Sequence, residues 1–255
     1  MAPPGPTPAS NPKTSGGTSA PPGAAARKRQ GGAAVAAPPY SRGIMRVVAG
    51  QLKGRPLRAV PGKATRPTSD RVREALFSVL GERVEGARVL DLFAGTGALA
   101  IEALSRGARA AVLVEQAAPA AAVIRANLQA LALSTAAVVR RTRAEHYLRT
   151  LPPEGEGGPF ELVFLDPPYA LPVGVLAGVL ARLAEGGLSD RAVVVVESSA
   201  RSEAPPWPAA FQPEPPRRYG DTALHLATFR ATLASDPPSD PPSESPAAAE
   251  GGRQP

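Results

Sequence analysis

The chain has 255 residues, a formal net charge of +7, 31 prolines and no cysteine. This length suffices for one sizeable domain, and the missing thiols exclude disulfide bonds, thiolate metal sites and cysteine nucleophiles. Neither a secretory apolar segment near residue 1 nor an 18-residue apolar stretch is present, so we expect a cytoplasmic protein with no membrane partner.

Composition divides the chain into four segments. Residues 1–42 are rich in Pro, Gly and Ala and carry five cationic and no acidic side chains, which predicts a disordered basic tail. Residues 234–255 are rich in Ser, Pro and acids, which predicts a disordered acidic tail. Between them we expect a basic extension over 43–81 and a larger domain over 82–233.

Most of the positive charge outside the tails lies in the extension, where residues 43–80 carry a net charge of +6. Residues 81–234 carry about −1. One basic patch of this kind suits binding of a phosphate backbone. The alternative is a solvated basic face that reflects Arg-rich codon usage.

The extension begins with two β-type runs. Met45–Gly50 and Arg55–Val60 flank Lys53-Gly54, which predicts a β-hairpin with a basic surface. Thr68 or Ser69 can cap a helix that begins at Asp70, because apolar residues from Val72 to Leu80 then recur on one face. Gly81 ends this helix.

From residue 88 onward, the apolar pattern alternates between the strand period of 2 and the helix period of 3.6. We predict strands at 88–93, 110–115, 136–140, 161–166 and 191–197, and helices at 97–106, 119–132, 144–150 and 173–184. This alternation predicts an α/β fold with a mostly parallel, doubly wound sheet. Gly220-Asp221, between two further β-type runs, predicts an antiparallel C-terminal hairpin.

The first strand of the α/β pattern contains Asp91 near its end and leads into a loop of small residues. The candidate ligand-binding residues here are Asp91, Phe93, Ala94, Gly95, Thr96 and Gly97. Glycines allow the backbone to approach a ligand closely. Glu115 ends the next strand, where its carboxylate can accept hydrogen bonds from both hydroxyls of a ribose. This arrangement favours an adenosine-type cofactor.

Two cofactors fit such a loop. Gly95, Gly97 and Ala100 satisfy a dinucleotide fingerprint, so a nicotinamide-dependent oxidoreductase is one interpretation. Asp91 argues against it, because a carboxylate before the loop repels a pyrophosphate and attracts the ammonium group of S-adenosylmethionine. We therefore predict S-adenosyl-L-methionine as the cofactor. No metal is expected, because methyl transfer develops no phosphate charge to neutralise.

Asp166-Pro167-Pro168-Tyr169 follows the apolar run at 162–165. This tetrapeptide suits methyl transfer to the exocyclic amine of a base. Asp166 and the Pro167 carbonyl can accept the N–H bonds of the amine, and Tyr169 can stack on the base. We predict all four residues as catalytic. The alternative is a Pro-fixed turn with a solvated Asp.

Together these motifs resemble one known family, the bacterial 16S ribosomal RNA guanine-N2 methyltransferases of the RsmD type. The resemblance covers residues 44–230 and rests on Arg66–Phe77, Asp91–Leu99, Glu102–Ala108, Asp166–Tyr169 and Tyr219–Thr222. It implies a class I S-adenosylmethionine-dependent methyltransferase fold of the Rossmann-like type. It also implies guanine 966 of 16S rRNA as the target and the small ribosomal subunit as the partner. We expect a monomer.

The resemblance also assigns further site residues. It places Arg66, Thr68 and Arg71 near the RNA at the mouth of the pocket. Similar enzymes often carry Asp or Asn near the adenine of the cofactor, where this chain has Arg143-Ala144-Glu145. We therefore expect the backbone of Ala144 to make that contact.

Three other functions remain open from the residues alone. A DNA adenine-N6 methyltransferase can use the same tetrapeptide, although no further target-recognition domain is evident in the sequence. A protein glutamine methyltransferase usually carries Asn at the position of Asp166 and has no need of a basic patch. A non-catalytic RNA-binding protein of ribosome assembly is the alternative from a different class.

Overall fold

The computed structural model of the protein describes residues 45–60, 69–151 and 157–231. The two predicted tails, 1–42 and 234–255, lie outside the described residues. Among the described helices, none combines the length and the apolar character that crossing a bilayer requires.

The described helices are α1 (Asp70–Leu80), α2 (Ala98–Ser105), α3 (Ala118–Ala130), α4 (Ala144–Thr150) and α5 (Val173–Glu185). The strands are β1 (Arg88–Asp91), β2 (Ala110–Val114), β3 (Ala137–Arg140), β4 (Phe160–Leu165), β5 (Leu188–Ser199), β6 (Phe211–Pro213), β7 (Arg217–Tyr219) and β8 (Thr222–Phe229). A 3-10 helix, Gly81–Val84, connects α1 to β1.

All eight strands form one sheet in the order β3-β2-β1-β4-β5-β8-β6, with β7 also paired to β8. The five strands from β3 to β5 are parallel, and β8 adds to β5 in the antiparallel direction. This confirms the predicted doubly wound sheet with an antiparallel C-terminal hairpin. The structure adds the short strand β6, which the sequence pattern did not predict.

Apolar side chains cover both faces of the sheet, because alternate residues of each central strand point to opposite sides. In β4, Leu162 and Phe164 pack with α1, α2 and α3, whereas Val163 and Leu165 pack with α4 and α5. The rings of Phe77 and Phe164 lie 5.8 Å apart and join α1 to the centre of the sheet. The sheet is therefore buried between two layers of helices, and we expect a functional site at one of its edges.

Helix α1 has the ends that the sequence predicts. The side chain of Ser69 accepts a hydrogen bond from the Val72 amide at 3.3 Å, which satisfies one of the free donors at the helix start. Gly81 follows the last turn with φ of 53°, a backbone conformation that disfavours residues with a Cβ.

The predicted N-terminal hairpin at 45–60 reverses direction but forms little regular strand. The amide of Val47 donates to the Arg55 carbonyl, and the amide of Leu57 donates to the Met45 carbonyl. Only one isolated antiparallel bridge, Arg46 to Pro56, results in this described segment.

Candidate active site

The strands β1 and β4 are neighbours at the centre of the sheet, and the chain leaves them toward opposite faces. After β1 it enters α2, and after β4 it enters α5, so a crevice opens between them at the carboxyl edge. Asp91 is paired with Phe164 in register, and Asp166 follows two residues later. The structure thus brings the two predicted halves of the site, Asp91 and Asp166, to neighbouring strand ends.

The loop from Phe93 to Gly97 is closely packed against the next strand. The Ala94 amide donates to the Val114 carbonyl at 3.0 Å, and the Gly97 amide donates to the Ala94 carbonyl at 2.6 Å. Gly97 has φ of 81°, and a Cβ there would lie 3.1 Å from the Leu113 side chain. The positive φ and the close Leu113 side chain therefore both favour glycine at the start of α2.

Asp91 lies at the bottom of the crevice with only 1% of its surface exposed. Its Oδ1 atom has no hydrogen-bond partner in the described part of the chain. Burial, together with the negative charges of Asp166 and Glu115, raises the pKa of Asp91 to about 8. A buried acid without a cationic partner is the environment in which a positively charged ligand group is most strongly favoured.

Glu115 follows β2 and is half-buried beside the same loop. Its Oε2 accepts a hydrogen bond from the Gly95 amide at 2.9 Å, and its Oε1 accepts one from the Ala117 amide at 2.6 Å. Each carboxylate oxygen has a second lone pair. Glu115 therefore fixes the loop and keeps capacity to accept bonds from a ligand.

The tetrapeptide continues β4 out of the core. Asp166 and Pro167 are half-buried, whereas Pro168 and Tyr169 are exposed. A turn follows, in which the Leu171 amide donates to the Pro168 carbonyl at 2.8 Å. Tyr169 is 72% exposed, so its ring is available to a flat partner at the crevice mouth.

Comparisons with known proteins identify the family of this chain. A family model described as "Conserved hypothetical protein 95" matches residues 45–228. The ribosomal RNA small subunit methyltransferase D of Escherichia coli (strain K12) is 36% identical over 195 residues, which cover 76% of this chain and 94% of the relative. The chain belongs to the methyltransferase D family.

Solved structures show the same fold as this family member. The protein yhhF from Escherichia coli has a TM-score of 0.66 at 35% identity, and covers 74% of this chain and 99% of its own. An RNA methyltransferase from Salinibacter ruber, solved in complex with S-adenosyl-L-homocysteine, has a TM-score of 0.50 at 19% identity, covering 68% of this chain and 97% of its own. The latter likeness concerns the fold alone. The predicted class I methyltransferase fold is confirmed.

The remaining predicted site residues of this methyltransferase D family member fall in different places. Thr96 lies in the glycine loop, with its Oγ1 3.3 Å from the Met45 Sδ. Arg71 is exposed on the first turn of α1. Ala144 is the first residue of α4 and is 3% exposed. Arg66 and Thr68 lie outside the described residues.

Sequence reasoning missed the polar residues that attach the extension to α2. Glu102 is fully buried, and its carboxylate accepts hydrogen bonds from the amides of Val48 and Ala49 at 2.7 and 2.9 Å. Arg106 donates to the same carboxylate at 2.8 Å. Ser105 donates to the Ala49 carbonyl at 2.6 Å. The signal for this role was a polar pair, three residues apart, on an otherwise apolar helix.

Asn127 on α3 makes a second connection. It accepts a hydrogen bond from the Arg58 amide at 2.8 Å and donates to the Arg58 carbonyl at 3.2 Å. It also donates to the Thr96 carbonyl at 3.0 Å. One buried amide thus joins the extension to the glycine loop.

Proposed function

We propose that this protein transfers a methyl group from S-adenosyl-L-methionine to the exocyclic N2 amine of a guanine in 16S rRNA. By its resemblance to the family, guanine 966 is the target and the small ribosomal subunit is the partner. The Escherichia coli relative, whose printed name is ribosomal RNA small subunit methyltransferase D, supports the substrate class. The proposed setting is the cytoplasm, with the enzyme acting as a monomer and without a metal.

The observation that carries the proposal is the buried Asp91 carboxyl with its unpartnered oxygen, two residues before the glycine loop. A donor with an ammonium group matches this acid, since a nearby cation stabilises the carboxylate that burial destabilises. A dinucleotide would bring a pyrophosphate to the same loop, and the acids Asp91, Glu115 and Asp166 would repel it. The residues present therefore fit S-adenosylmethionine.

In this proposal, S-adenosylmethionine supplies an activated methyl group. Asp91 holds the ammonium end, and the loop from Phe93 to Gly97 presents its backbone to the donor. Glu115 accepts hydrogen bonds from the ribose hydroxyls. The Ala144 backbone, at the start of α4, faces the adenine.

Asp166 and the Pro167 carbonyl would accept the two N–H bonds of the guanine amine, and Tyr169 would stack on the base. These contacts would hold the amine against the methyl group of the donor, and such positioning removes much of the entropic barrier. Stacking on Tyr169 contributes about 1–3 kcal/mol. The amine loses its proton after it has been methylated, when it is acidic, so the residues need not include a strong base.

A base paired within a duplex cannot reach a pocket at the edge of a sheet. The substrate nucleotide must therefore be unpaired or rotated out of its helix. The extension would bind the surrounding phosphates, with Arg66, Thr68 and Arg71 nearest the base. The exposed positions of Lys53, Arg58 and Arg71 support this part of the proposal.

Asp166→Asn tests the proposal, because it keeps the shape of the side chain and replaces one acceptor oxygen with a donor. We expect turnover on small ribosomal subunits to fall at least about 100-fold, as for other single groups that act on the transition state. Donor affinity measured by calorimetry should change no more than a few-fold. Asp190→Asn, at the opposite edge of the sheet, should leave both quantities at wild-type values.

Mapping the methylated nucleotide completes the test. Primer extension and mass spectrometry on rRNA from a deletion strain, with and without the restored gene, should locate a single N2-methylguanine. Methylation of a different base or atom, or wild-type turnover in Asp166→Asn, would contradict the proposed chemistry.

A further inference from the structure

A second basic surface lies outside the extension, between the end of β3 and helix α4. Arg140, Arg141, Arg143 and Arg149 are all exposed there, together with His146. The acid within residues 140–149 is Glu145, which is half-buried. Residues 81–234 have almost no net charge as a whole. Four arginines against one glutamate give residues 140–149 a net charge of +3, which the total for the larger segment does not reveal.

These side chains line two adjoining concavities, which we call the α4 groove. One concavity, of about 610 Å³, is lined by residues that include Arg141 and Tyr147. The other, of about 710 Å³, is lined by residues that include Arg143 and Arg149. Thr142 and His146 line both, so the two concavities are adjacent.

Three arginines of the groove differ from several ion-paired arginines elsewhere on the surface. Arg83, Arg109 and Arg217 each form an ion pair with a glutamate at 2.9–3.2 Å. In contrast, the side chains of Arg141, Arg143 and Arg149 make no hydrogen bond or ion pair with any other residue in the described ranges. Exposed, unneutralised guanidinium groups grouped along a depression are suited to phosphate, which they can bind through two parallel hydrogen bonds.

The groove also lies at a useful distance from the crevice. The carboxyl ends of β3 and β4 are at the same edge of the sheet, separated by β2 and β1. Three strand spacings correspond to about 14 Å. A few nucleotides of extended RNA cover this distance, so a strand whose base enters the crevice can reach the groove with its neighbouring phosphates.

The two basic surfaces lie on different sides of the sheet. The extension packs with the layer of α1, α2 and α3, whereas α4 belongs to the opposite layer. We propose that the α4 groove binds the phosphate backbone of the substrate RNA, so that the RNA crosses the carboxyl edge from the extension to α4. This inference rests on the proposed function for its choice of RNA and goes beyond it in naming a second contact surface.

Charge reversal in the full-length protein tests the groove. In Arg141→Glu/Arg149→Glu, we expect KM for small ribosomal subunits to rise at least about 10-fold while kcat stays within about twofold. The slope of log KM against log salt should become shallower by about 1 to 2, since each lost phosphate contact removes roughly 0.7–0.9 from it. The matched control is Arg182→Glu/Arg191→Glu, which changes the net charge equally at side chains that are 43% and 79% exposed. The control should leave KM and the salt slope unchanged.

Two results would overturn the inference. One is that the groove variant and the control variant have the same KM and the same salt slope. The other is a weaker affinity for S-adenosylmethionine, measured by calorimetry, with KM for the subunits unchanged, because the groove would then be an outer wall of the donor site.

A binding assay separates this inference from the proposed function. Fluorescence anisotropy with a labelled 16S rRNA fragment measures RNA binding by the groove independently of methylation. If the wild-type protein binds the fragment with a steep salt slope that the groove variant loses, the groove is supported even where no methyl group is transferred. If methylation proceeds and the variant binds like the wild type, the groove is refuted and the proposed function stands.

Discussion

Two buried carboxyl groups, eleven residues apart, lie in very different surroundings. Glu102 on α2 accepts hydrogen bonds from two backbone amides and from Arg106. Asp91 on β1 has an oxygen with no partner in the described residues, and two further acids nearby. Both side chains are almost fully shielded from solvent.

The difference shows which buried acid is structural and which is kept for a ligand. Glu102 has its hydrogen-bond partners within the protein, so this side chain stabilises the attachment of the extension. Asp91 destabilises the ligand-free protein whenever it is ionised, because no cation compensates its burial. A protein retains such an acid where a bound group supplies the missing charge.

The largest effect should come from removing the satisfied acid. We expect Glu102→Ala to lower the free energy of unfolding by about 3–5 kcal/mol, since Arg106 and two amides lose their acceptor inside the protein. Urea denaturation measures this, with the exposed Glu74→Ala as control, expected within about 0.5 kcal/mol of wild type. A loss below about 1 kcal/mol would show that the hydrogen bonds of Glu102 contribute little to stability.

Two glycines of the extension provide a matched pair. Gly50 and Gly54 both have φ of 80°, but a Cβ at Gly50 would lie 2.0 Å from the Ser105 carbonyl oxygen, whereas one at Gly54 would meet nothing within 4 Å. Both alanine variants carry the cost of the left-handed conformation, about 1–2 kcal/mol. We expect Gly50→Ala to be less stable than Gly54→Ala by a further 1–3 kcal/mol, roughly the cost of overpacking. Equal stabilities in urea would mean that the extension does not dock on α2 as described.

The third effect concerns Asp91 and depends on pH. The pKa of this carboxyl is raised from 3.8 to about 8, so between these values the folded protein holds a proton that the unfolded chain has lost. Stability must therefore fall as pH rises through this window, with a contribution on the order of 1 kcal/mol per pH unit. Asp91→Asn should remove that contribution, so the variant should gain stability relative to the wild type from pH 5 to pH 8.

Thermal or urea unfolding of both proteins across this range measures the difference. A constant offset between the two stability curves would mean that Asp91 is ionised in the folded protein. The same variant should bind S-adenosylmethionine about 10- to 100-fold more weakly, since it loses a charge-assisted hydrogen bond.

Much of the fold was predictable because its signals are local. The alternation of periods located all five parallel strands, and Gly220-Asp221 located the antiparallel hairpin. The strand ends at Asp91 and Asp166 could be placed together for the same reason, since parallel strands end at one edge. The extent of β5, which begins at Leu188 and continues to Ser199, was underestimated because residues 189–191 are polar and unpaired with β4.

The missed features depend on contacts between distant parts of the chain. Glu102 is bonded to amides 53 and 54 residues away, and Asn127 to Arg58 over 69 residues. A polar pair on an otherwise apolar helix marks Glu102 and Ser105, but the local pattern does not show which distant amides these side chains bind. The α4 groove was missed for a different reason: its arginines are close in sequence, but acids such as Glu102, Glu115 and Glu161 offset them in the total for residues 81–234 while bonding elsewhere in the structure.

The three hydrogen bonds of Asn127 limit which segments of the protein can be exchanged with those of a relative. Because this amide holds the main chain of Arg58 and the carbonyl of Thr96 together, the extension is not an interchangeable module. A chimera that takes residues 45–60 from a relative would need the same backbone path at position 58 to keep the glycine loop in place. Retargeting this fold to another RNA is therefore better attempted through exposed side chains than through exchange of the whole segment.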